Sequence, residues 1–213
     1  MTTTIWLARH GEVHNPDQVL YGRLPRMQLS AVGRREARAL ADFLGERPLA
    51  AVYSSPMLRA RRTAGIVLSS HPELQRVRVD ADLQEVQTGW QGQPLDALER
   101  INFDFYAYPL GPADESLQMI HDRMHSWLRR MLRRHAGTEV VGVSHGDPIL
   151  ILAGTLAGLR LEPASIFPQP YIATGVVYRL QFDADGACRD VQLLVPPFSP
   201  GDLATSSDDE VAA

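Results

Sequence analysis

The sequence predicts an α/β fold in three layers, in which a mostly parallel central sheet has helices on both faces and an antiparallel hairpin at one edge. Apolar runs typical of buried strands alternate with amphipathic helical segments, which is the order that parallel βαβ units produce. Near the C-terminus, two strand-like runs flank Asp185 and Gly186, as in a hairpin. A length of 213 residues with 45% hydrophobic content is compatible with one domain and a sizeable core.

The first half of the chain predicts two strands, each followed by a helix. "TTIWLA" and "LAAVYSS" are apolar runs of strand length. The first helix, within "LSAVGRREARALADFLGERP", has Ser30 as its N-cap and ends before Pro48. The second helix, "PMLRARRTAGIVLSS", has Ser55 as its N-cap and Pro56 at its first position, which proline favours.

The second half continues the alternation. "QRVRVDADLQEV" is predicted to be extended, "TEVVGVS" to be a buried strand, and "PILILAGTLAGL" to be an apolar helix. A long helix precedes that strand, because apolar residues recur there on one helical face. They are Leu117, Ile120, Met124, Trp127, Leu128 and Met131. Residues 1–195 are predicted to form one folded domain, and the polar, acidic residues 196–213 a disordered tail.

Composition excludes several function classes. The formal net charge is −4 and all 21 basic residues are arginine, which excludes a Walker-A phosphate loop and a lysine Schiff base. The single Cys188 excludes an intrachain disulfide and a CxxC redox pair. Because no apolar run is long enough to span a bilayer and the N-terminus does not resemble a signal peptide, we expect a cytoplasmic protein without a membrane partner. The run "RRMLRRH" fits a solvated helix face, so we expect no nucleic-acid partner.

Charged side chains follow four of the predicted strands. Arg9 and His10 follow the first strand, and His145 follows "TEVVGVS". Arg59 and Glu85 follow the two predicted strands between them. Because ligands of open parallel sheets bind beyond the carboxyl ends of the strands, we expect these five side chains to meet at one edge.

These residue types suit phosphoryl transfer through a phosphohistidine. A neutral imidazole, with an ordinary pKa of about 6.5, attacks phosphorus without a separate base. Two arginines, a protonated second histidine and backbone N–H groups at a helix start around Gly146 would neutralise the phosphate. A buried glutamate with a raised pKa would protonate the leaving alkoxide.

Five segments together carry a family resemblance. "LARHGE", "LSAVGRREA", "YSSPMLRARRTA", "LQEVQTGWQG" and "VVGVSHGDPI" resemble the histidine phosphatase superfamily, in its phosphoglycerate-mutase-like branch, and are distributed over most of residues 4–150. The resemblance implies a phosphoglycerate-mutase-like fold and a histidine-phosphatase-like catalytic domain over residues 1–195.

The resemblance also implies roles for individual residues. His10 would be the phosphorylated nucleophile, Glu85 the proton donor and acceptor, and Arg9, Arg59 and His145 the phosphate pocket. The expected substrate is a small phosphorylated metabolite, and inorganic phosphate, sulfate and vanadate are the expected pocket ligands. No cofactor and no metal are expected. The sequence is compatible with a homodimer as well as a monomer.

The chain departs from the family pattern in three places. The family has an asparagine six residues after the nucleophile, where this chain has Pro16, and Asn15 is the nearest candidate for that phosphate contact. Gly22 and Arg23 fall where the family has a substrate-facing glycine loop. Mutases carry a basic insert after the glutamate segment, whereas this chain has a short, acidic and aromatic one. We therefore expect a phosphomonoester hydrolase, with mutase-type phosphoryl transfer as the alternative.

Other patterns favour different functions. "GVSHG" fits the G-x-S-x-G motif between a strand and a helix, which indicates a serine hydrolase with Ser144 as nucleophile. That fold places its histidine after the serine and the acid, and no histidine follows His145. "HGEVH" spaces His10 and His14 as in zinc proteases, but glycine after a strand is a poor helix interior. A further hypothesis is a non-catalytic sensor of phosphorylated ligands.

Overall fold

The computed structural model describes residues 1–197, and the predicted tail lies outside the described residues from residue 198 onward. These residues form a six-stranded sheet with the strand order β3-β2-β4-β1-β5-β6. The strands are β1 (Thr3–Arg9), β2 (Leu49–Ser54), β3 (Val77–Val79), β4 (Glu139–Ser144), β5 (Val177–Phe182) and β6 (Cys188–Leu194). Strands β3, β2, β4 and β1 are parallel, whereas β5 is antiparallel to both β1 and β6. The predicted mixed sheet with an antiparallel edge hairpin is confirmed.

Helices cover both faces of this sheet. They are α1 (Ala31–Leu44), α2 (Leu58–Ser69), α3 (Leu95–Glu99), α4 (Leu117–Arg134), α5 (Gly146–Leu156) and α6 (Pro163–Ile166). Apolar residues of α1 and α2 pack in one buried cluster with Trp6 and Val52 of the sheet. Those of α4 and α5 pack in a second cluster with Leu7 and Tyr53, on the opposite side of the same strands. This arrangement confirms the predicted three layers. Within residues 1–197, no helix is long and apolar enough to cross a membrane.

Two helices follow the sequence pattern closely. The Ser30 hydroxyl accepts the Gly33 N–H at the start of α1, as a predicted N-cap should. On α4, all residues of the predicted apolar face except the half-buried Leu117 are buried. Trp127 from this face packs directly on β4, where a Cβ on Gly142 would lie 2.7 Å from the indole Cη2. Glycine at that position therefore brings α4 close to the sheet.

The predicted start of α2 was wrong by two residues. The helix begins at Leu58, and its N-cap residue, Met57, makes no side-chain capping bond. The Ser55 hydroxyl instead accepts the Met57 N–H at 3.3 Å and contacts His145 Nε2 at 2.8 Å. The predicted extended stretch after α2 is also shorter, because β3 ends at Val79 and a 3-10 turn follows over Ala81–Leu83.

Candidate active site

The two His-Gly pairs lie side by side at the carboxyl edge of the sheet. Strands β1 and β4 are parallel neighbours, and their last residues, Arg9 and Ser144, are paired in register. The histidine that follows each strand is therefore brought next to the other. The His10 N–H donates to the Ser144 carbonyl at 3.1 Å, and the rings of His10 and His145 are 5.1 Å apart at their centroids. Both side chains are buried.

Arg59 joins the two imidazole rings. Its Nε donates to His10 Nε2 and its Nη2 to His145 Nδ1, each at 3.0 Å. Nη2 also donates to the Gly22 carbonyl at 2.7 Å, and the guanidinium lies 4.7 Å from the centre of the Tyr21 ring. A cation in the first turn of a helix is opposed by the helix dipole, but these acceptors stabilise Arg59 there with its side chain 1% exposed.

The partners of each histidine fix its tautomer. His10 Nδ1 lies 2.7 Å from the Gly11 carbonyl, which only accepts, so Nδ1 carries the proton and Nε2 has the free electron pair. His145 is the reverse case, because Arg59 only donates. Its Nδ1 must accept, and its Nε2–H donates to the Ser55 hydroxyl.

Both histidines are neutral in this arrangement. Burial lowers the pKa of His10 well below its ordinary value, and the positive charges of Arg59 and Arg9 lower it further. Burial and then Arg59 act in the same way on the pKa of His145. The protonated second histidine expected from the sequence belongs to the phosphate-bound site and stays a prediction. Burial and the nearby guanidinium both oppose its protonation before phosphate binds.

Glu85 completes the buried cluster. Its Oε2 lies 3.6 Å from His145 Nδ1 and 3.7 Å from Arg59 Nη2, and its Oε1 accepts the Val86 N–H at 3.0 Å. Burial raises the pKa of Glu85, the nearby Arg59 lowers it in part, and the carboxylate of Asp147 raises it again. A carboxyl group with a raised pKa holds a proton that it can donate near neutral pH.

A comparison with known protein families shows the family of this chain. The family model of the histidine phosphatase superfamily (branch 1) matches residues 5–191. The chain belongs to this superfamily. The predicted family is thereby confirmed, and the matched range includes both His-Gly pairs, Arg59 and Glu85.

Individual relatives align with most of this chain. It is 39% identical over 165 residues to Uncharacterized protein Rv0525 of Mycobacterium tuberculosis, which covers 75% of this chain and 81% of that protein. It is 32% identical over 193 residues to phosphoglycerate mutase-like protein 4 of Arabidopsis thaliana, covering 85% and 80% of the two chains. The solved structure of Bacillus stearothermophilus YhfR matches with a TM-score of 0.77 and 26% identity, over 88% of this chain and 94% of that one.

Glycine follows each histidine of this histidine phosphatase because another group packs against its α-carbon. A Cβ on Gly11 would overlap the Gly33 carbonyl oxygen and lie 2.9 Å from the carbonyl carbon, at the start of α1. A Cβ on Gly146 would overlap the Tyr171 hydroxyl and lie 2.7 Å from Cζ of that ring. Both glycines therefore permit close approach of a neighbouring segment.

Arg9 lies beside the two histidines and is held by the segment after α6. Its guanidinium carbon is 5.1 Å from the centre of the Tyr171 ring, and its Nη1 donates to the Ile172 carbonyl. Its Nε is buried and has no hydrogen-bond partner within the part of the chain that the structure describes. Arg9 thus retains donor capacity for an anion.

Two predicted substrate contacts are occupied by the protein itself. The Asn15 side chain bonds both backbone groups of Val19, as donor to the carbonyl at 2.9 Å and acceptor from the N–H at 3.3 Å. Arg23 donates from Nε to the Glu85 carbonyl at 2.7 Å and from Nη2 to Glu115 at 2.8 Å. Gly22, with φ of 39°, contributes its carbonyl to Arg59. Asn15 and Arg23 thus bond other parts of the chain, and their contacts with a substrate stay predictions.

The pattern that suggested a serine hydrolase is not supported by the geometry. Ser144 is fully buried, and its hydroxyl donates to the Leu83 carbonyl at 2.8 Å. The serine that contacts His145 is Ser55, and it accepts the imidazole N–H, so it is not deprotonated by that ring.

Sequence reasoning missed several residues that position the site. Arg123 on α4 donates to the carbonyls of Asp82 and Gln84 and to the Glu115 carboxylate, which fixes the segment that leads into Glu85. Ser55 was interpreted only as a helix cap. Local patterns do not reveal these roles, because Asp82 and Gln84 lie about 40 residues from Arg123 and His145 lies 90 residues from Ser55.

Proposed function

We propose that this histidine phosphatase hydrolyses phosphomonoesters of small metabolites through a phosphohistidine at His10. One observation carries the proposal: the Gly11 carbonyl holds the proton of His10 on Nδ1, so that Nε2 presents its electron pair beside a buried arginine. A neutral imidazole nucleophile next to a cation is the arrangement that attack on an anionic phosphate requires.

The proposed reaction has two steps. In the first, His10 Nε2 attacks phosphorus, the bond from phosphorus to the leaving oxygen breaks, and the Glu85 carboxyl group protonates that oxygen. In the second, the Glu85 carboxylate takes a proton from water, whose oxygen attacks phosphorus and releases His10. Arg59 donates to Nε2 before substrate binds, so its N–H groups must turn from the imidazoles to the phosphate oxygens.

The same arginine argues for chemistry without a metal. Ligand atoms of His10, Glu85 and His145 lie within 4.8 Å of one another, which is close enough for a metal site. However, Arg59 donates to the nitrogens of both histidines that would bind an ion, and its charge would repel that ion. Phosphate, sulfate and vanadate are the pocket ligands that the donors of Arg9 and Arg59 favour.

Mutase-type transfer is the second candidate, favoured by the similarity to a phosphoglycerate mutase-like protein. Both activities form the same phosphoenzyme and differ in whether water or a second hydroxyl accepts the phosphoryl group. Incubation with 3-phosphoglycerate separates them, because a hydrolase releases inorganic phosphate whereas a mutase yields the 2-phosphate isomer. We expect inorganic phosphate from phosphomonoesters and no 2-phosphate isomer from 3-phosphoglycerate.

The test of the proposal is to trap the phosphoenzyme. Rapid mixing with p-nitrophenyl phosphate should give a burst of nitrophenol and a protein-bound phosphate that is labile in acid and stable in alkali, as a phosphoramidate is. His10→Ala should abolish both, while His121→Ala, a matched change on α4, should retain them. A normal burst in folded His10→Ala protein, judged by circular dichroism, would refute the mechanism.

A further inference from the structure

Asp147, the residue after the second His-Gly pair, is held by two tyrosines from different segments. Its Oδ2 accepts from the Tyr106 hydroxyl at 2.6 Å, and its Oδ1 accepts from the Tyr171 hydroxyl. Neither tyrosine belongs to a helix or a strand: Tyr106 lies in segment 100–109 and Tyr171 in segment 167–175. One carboxylate at the start of α5 thus joins two irregular segments.

The two segments also contact each other and the phosphate pocket. The rings of Tyr106 and Phe167 are stacked, with centroids 5.7 Å apart and 10° between their planes. The Tyr171 ring packs on the Arg9 guanidinium, and its hydroxyl lies against the α-carbon of Gly146. Movement of Tyr171 would therefore change the surroundings of an arginine expected to bind phosphate.

The Asp147 carboxylate is held by neutral donors. Its two oxygens accept from the phenols of Tyr106 and Tyr171. Burial raises the pKa of Asp147, whereas these two bonds and the positive charge of Arg9 lower it and so favour the carboxylate. Glu85 accepts the Val86 N–H, and burial and the negative charge of Asp147 raise its pKa. Two O–H donors at Asp147 and one N–H donor at Glu85 favour the charged form more strongly at Asp147.

We propose that Asp147, Tyr106 and Tyr171 form one positioning unit, which holds segments 100–109 and 167–175 together beside the phosphate pocket and places a negative charge near Glu85. The proposal rests on the proposed function, because it assigns a purpose to that charge only if Glu85 is the general acid. Its immediate structural consequence, the fixing of the two segments, does not depend on catalysis.

Other charged or titratable groups around Glu85 also influence its proton affinity. They are Arg9 on β1, Arg59 on α2, Arg23 before α1, Arg123 on α4 and His145 before α5. The arginines keep their charge over the working pH range, and His145 is neutral. Asp147→Asn removes a negative charge near Glu85 and also weakens the bonds to the two tyrosines, so each effect needs its own readout.

The first readout is the pH profile of kcat/KM. Protonated Glu85 is the active form with an alkyl phosphate such as glycerol phosphate, so activity falls as pH rises through its pKa. Asp147→Asn lowers that pKa, so the basic limb should move to lower pH, and the loss relative to wild type should grow about tenfold for each unit of displacement. The matched control is Asp190→Asn, which changes a carboxylate paired with Arg179 in the β5–β6 hairpin.

The second readout does not need activity. Trypsin cleavage after Arg100, at the start of segment 100–109, requires local opening of that segment. Asp147→Asn and Tyr106→Phe should both accelerate this cleavage several-fold relative to cleavage after the exposed Arg160 in the same digest. Tyr106→Phe retains the carboxylate, so its basic limb should stay closer to that of wild type.

An unchanged basic limb in Asp147→Asn would overturn the proposal even if kcat fell, because a merely structural role would reduce turnover at every pH. Unchanged cleavage after Arg100 in both variants would overturn it independently. If the wild-type chain hydrolysed no phosphomonoester, the proposed function would fail, and the Arg100 cleavage rates would still decide whether Asp147 holds the segment.

Discussion

Replacing Gly11 by alanine should destabilise this fold through backbone contact alone. The added Cβ would overlap the Gly33 carbonyl oxygen and lie 2.9 Å from its carbon, whereas unbonded carbons prefer about 3.5 Å or more. The start of α1 or the turn after β1 must therefore move by about one ångström to relieve the contact with the oxygen, which is the shorter of the two. Overpacking of this kind costs about 1–3 kcal/mol. In a chain of 213 residues each kcal/mol lowers Tm by roughly 2–4 °C, so we expect a drop of about 2–12 °C.

Two further glycines provide controls for this prediction. A Cβ on Gly146 would meet the end of the Tyr171 side chain, whose displacement breaks the bond to Asp147 but moves no backbone, so Gly146→Ala should lower Tm less than Gly11→Ala does. Gly65 is exposed within α2 and has nothing within 4 Å of a built Cβ. Gly65→Ala should raise stability by about 0.5–1 kcal/mol through helix propensity.

Thermal unfolding followed by circular dichroism at 222 nm, at one protein concentration and scan rate, gives the order of the three variants. The expected order of Tm is Gly65→Ala, wild type, Gly146→Ala, Gly11→Ala. A Gly11→Ala protein as stable as wild type would show that the close approach of Gly33 does not constrain this turn. Vanadate affinity in the same samples reports the site, because the Gly11 carbonyl accepts from His10 Nδ1.

Three further outcomes are expected. Ser144→Ala should retain most phosphatase activity and lose about 1 kcal/mol of unfolding free energy, because its hydroxyl only bonds the Leu83 carbonyl; complete loss of turnover in a folded variant would contradict this. NMR titration of the imidazoles should find the pKa values of His10 and His145 below 6.5, and a value at or above 6.5 for either would show that burial does not dominate. EDTA should leave turnover unchanged. If EDTA abolished activity and zinc restored it, the inference that Arg59 excludes a metal from the site would be wrong.

Most of the strands were predictable because hydrophobic period and length are local properties, whereas their order in the sheet depends on contacts between distant segments. Each His-Gly pair follows an apolar run, so the rule for parallel sheets places both pairs at the carboxyl edge of the sheet. The start of α2 was not predictable, because serine followed by proline is also the pattern of an N-cap. The Ser55 hydroxyl bonds His145, a residue 90 positions away, and does not cap the helix.

The candidate site divides in the same way. The charged residues at the strand ends were identified from the sequence, but their protonation states depend on burial and on partners that only the fold supplies. Arg23 bonds Glu115 and the Glu85 carbonyl, which lie 92 and 62 residues away. A sequence motif does not reveal partners at such distances. A basic residue in a ligand loop predicts an anion contact equally well whether the anion is a substrate or a carboxylate of the protein.

The two His-Gly pairs look equivalent in sequence, yet the arginine between them requires that they differ. Arg59 has only donors, so each imidazole must turn an unprotonated nitrogen toward it: Nε2 of His10 and Nδ1 of His145. The remaining proton then needs an acceptor on the other side, which is the Gly11 carbonyl for His10 and the Ser55 hydroxyl for His145. Protonating either ring would remove one arginine bond and place two cations together in a desolvated site. A phosphate group would change this balance, because its oxygens accept the arginine N–H groups. Under the proposed mechanism, the substrate itself would therefore release the electron pair of His10 for attack.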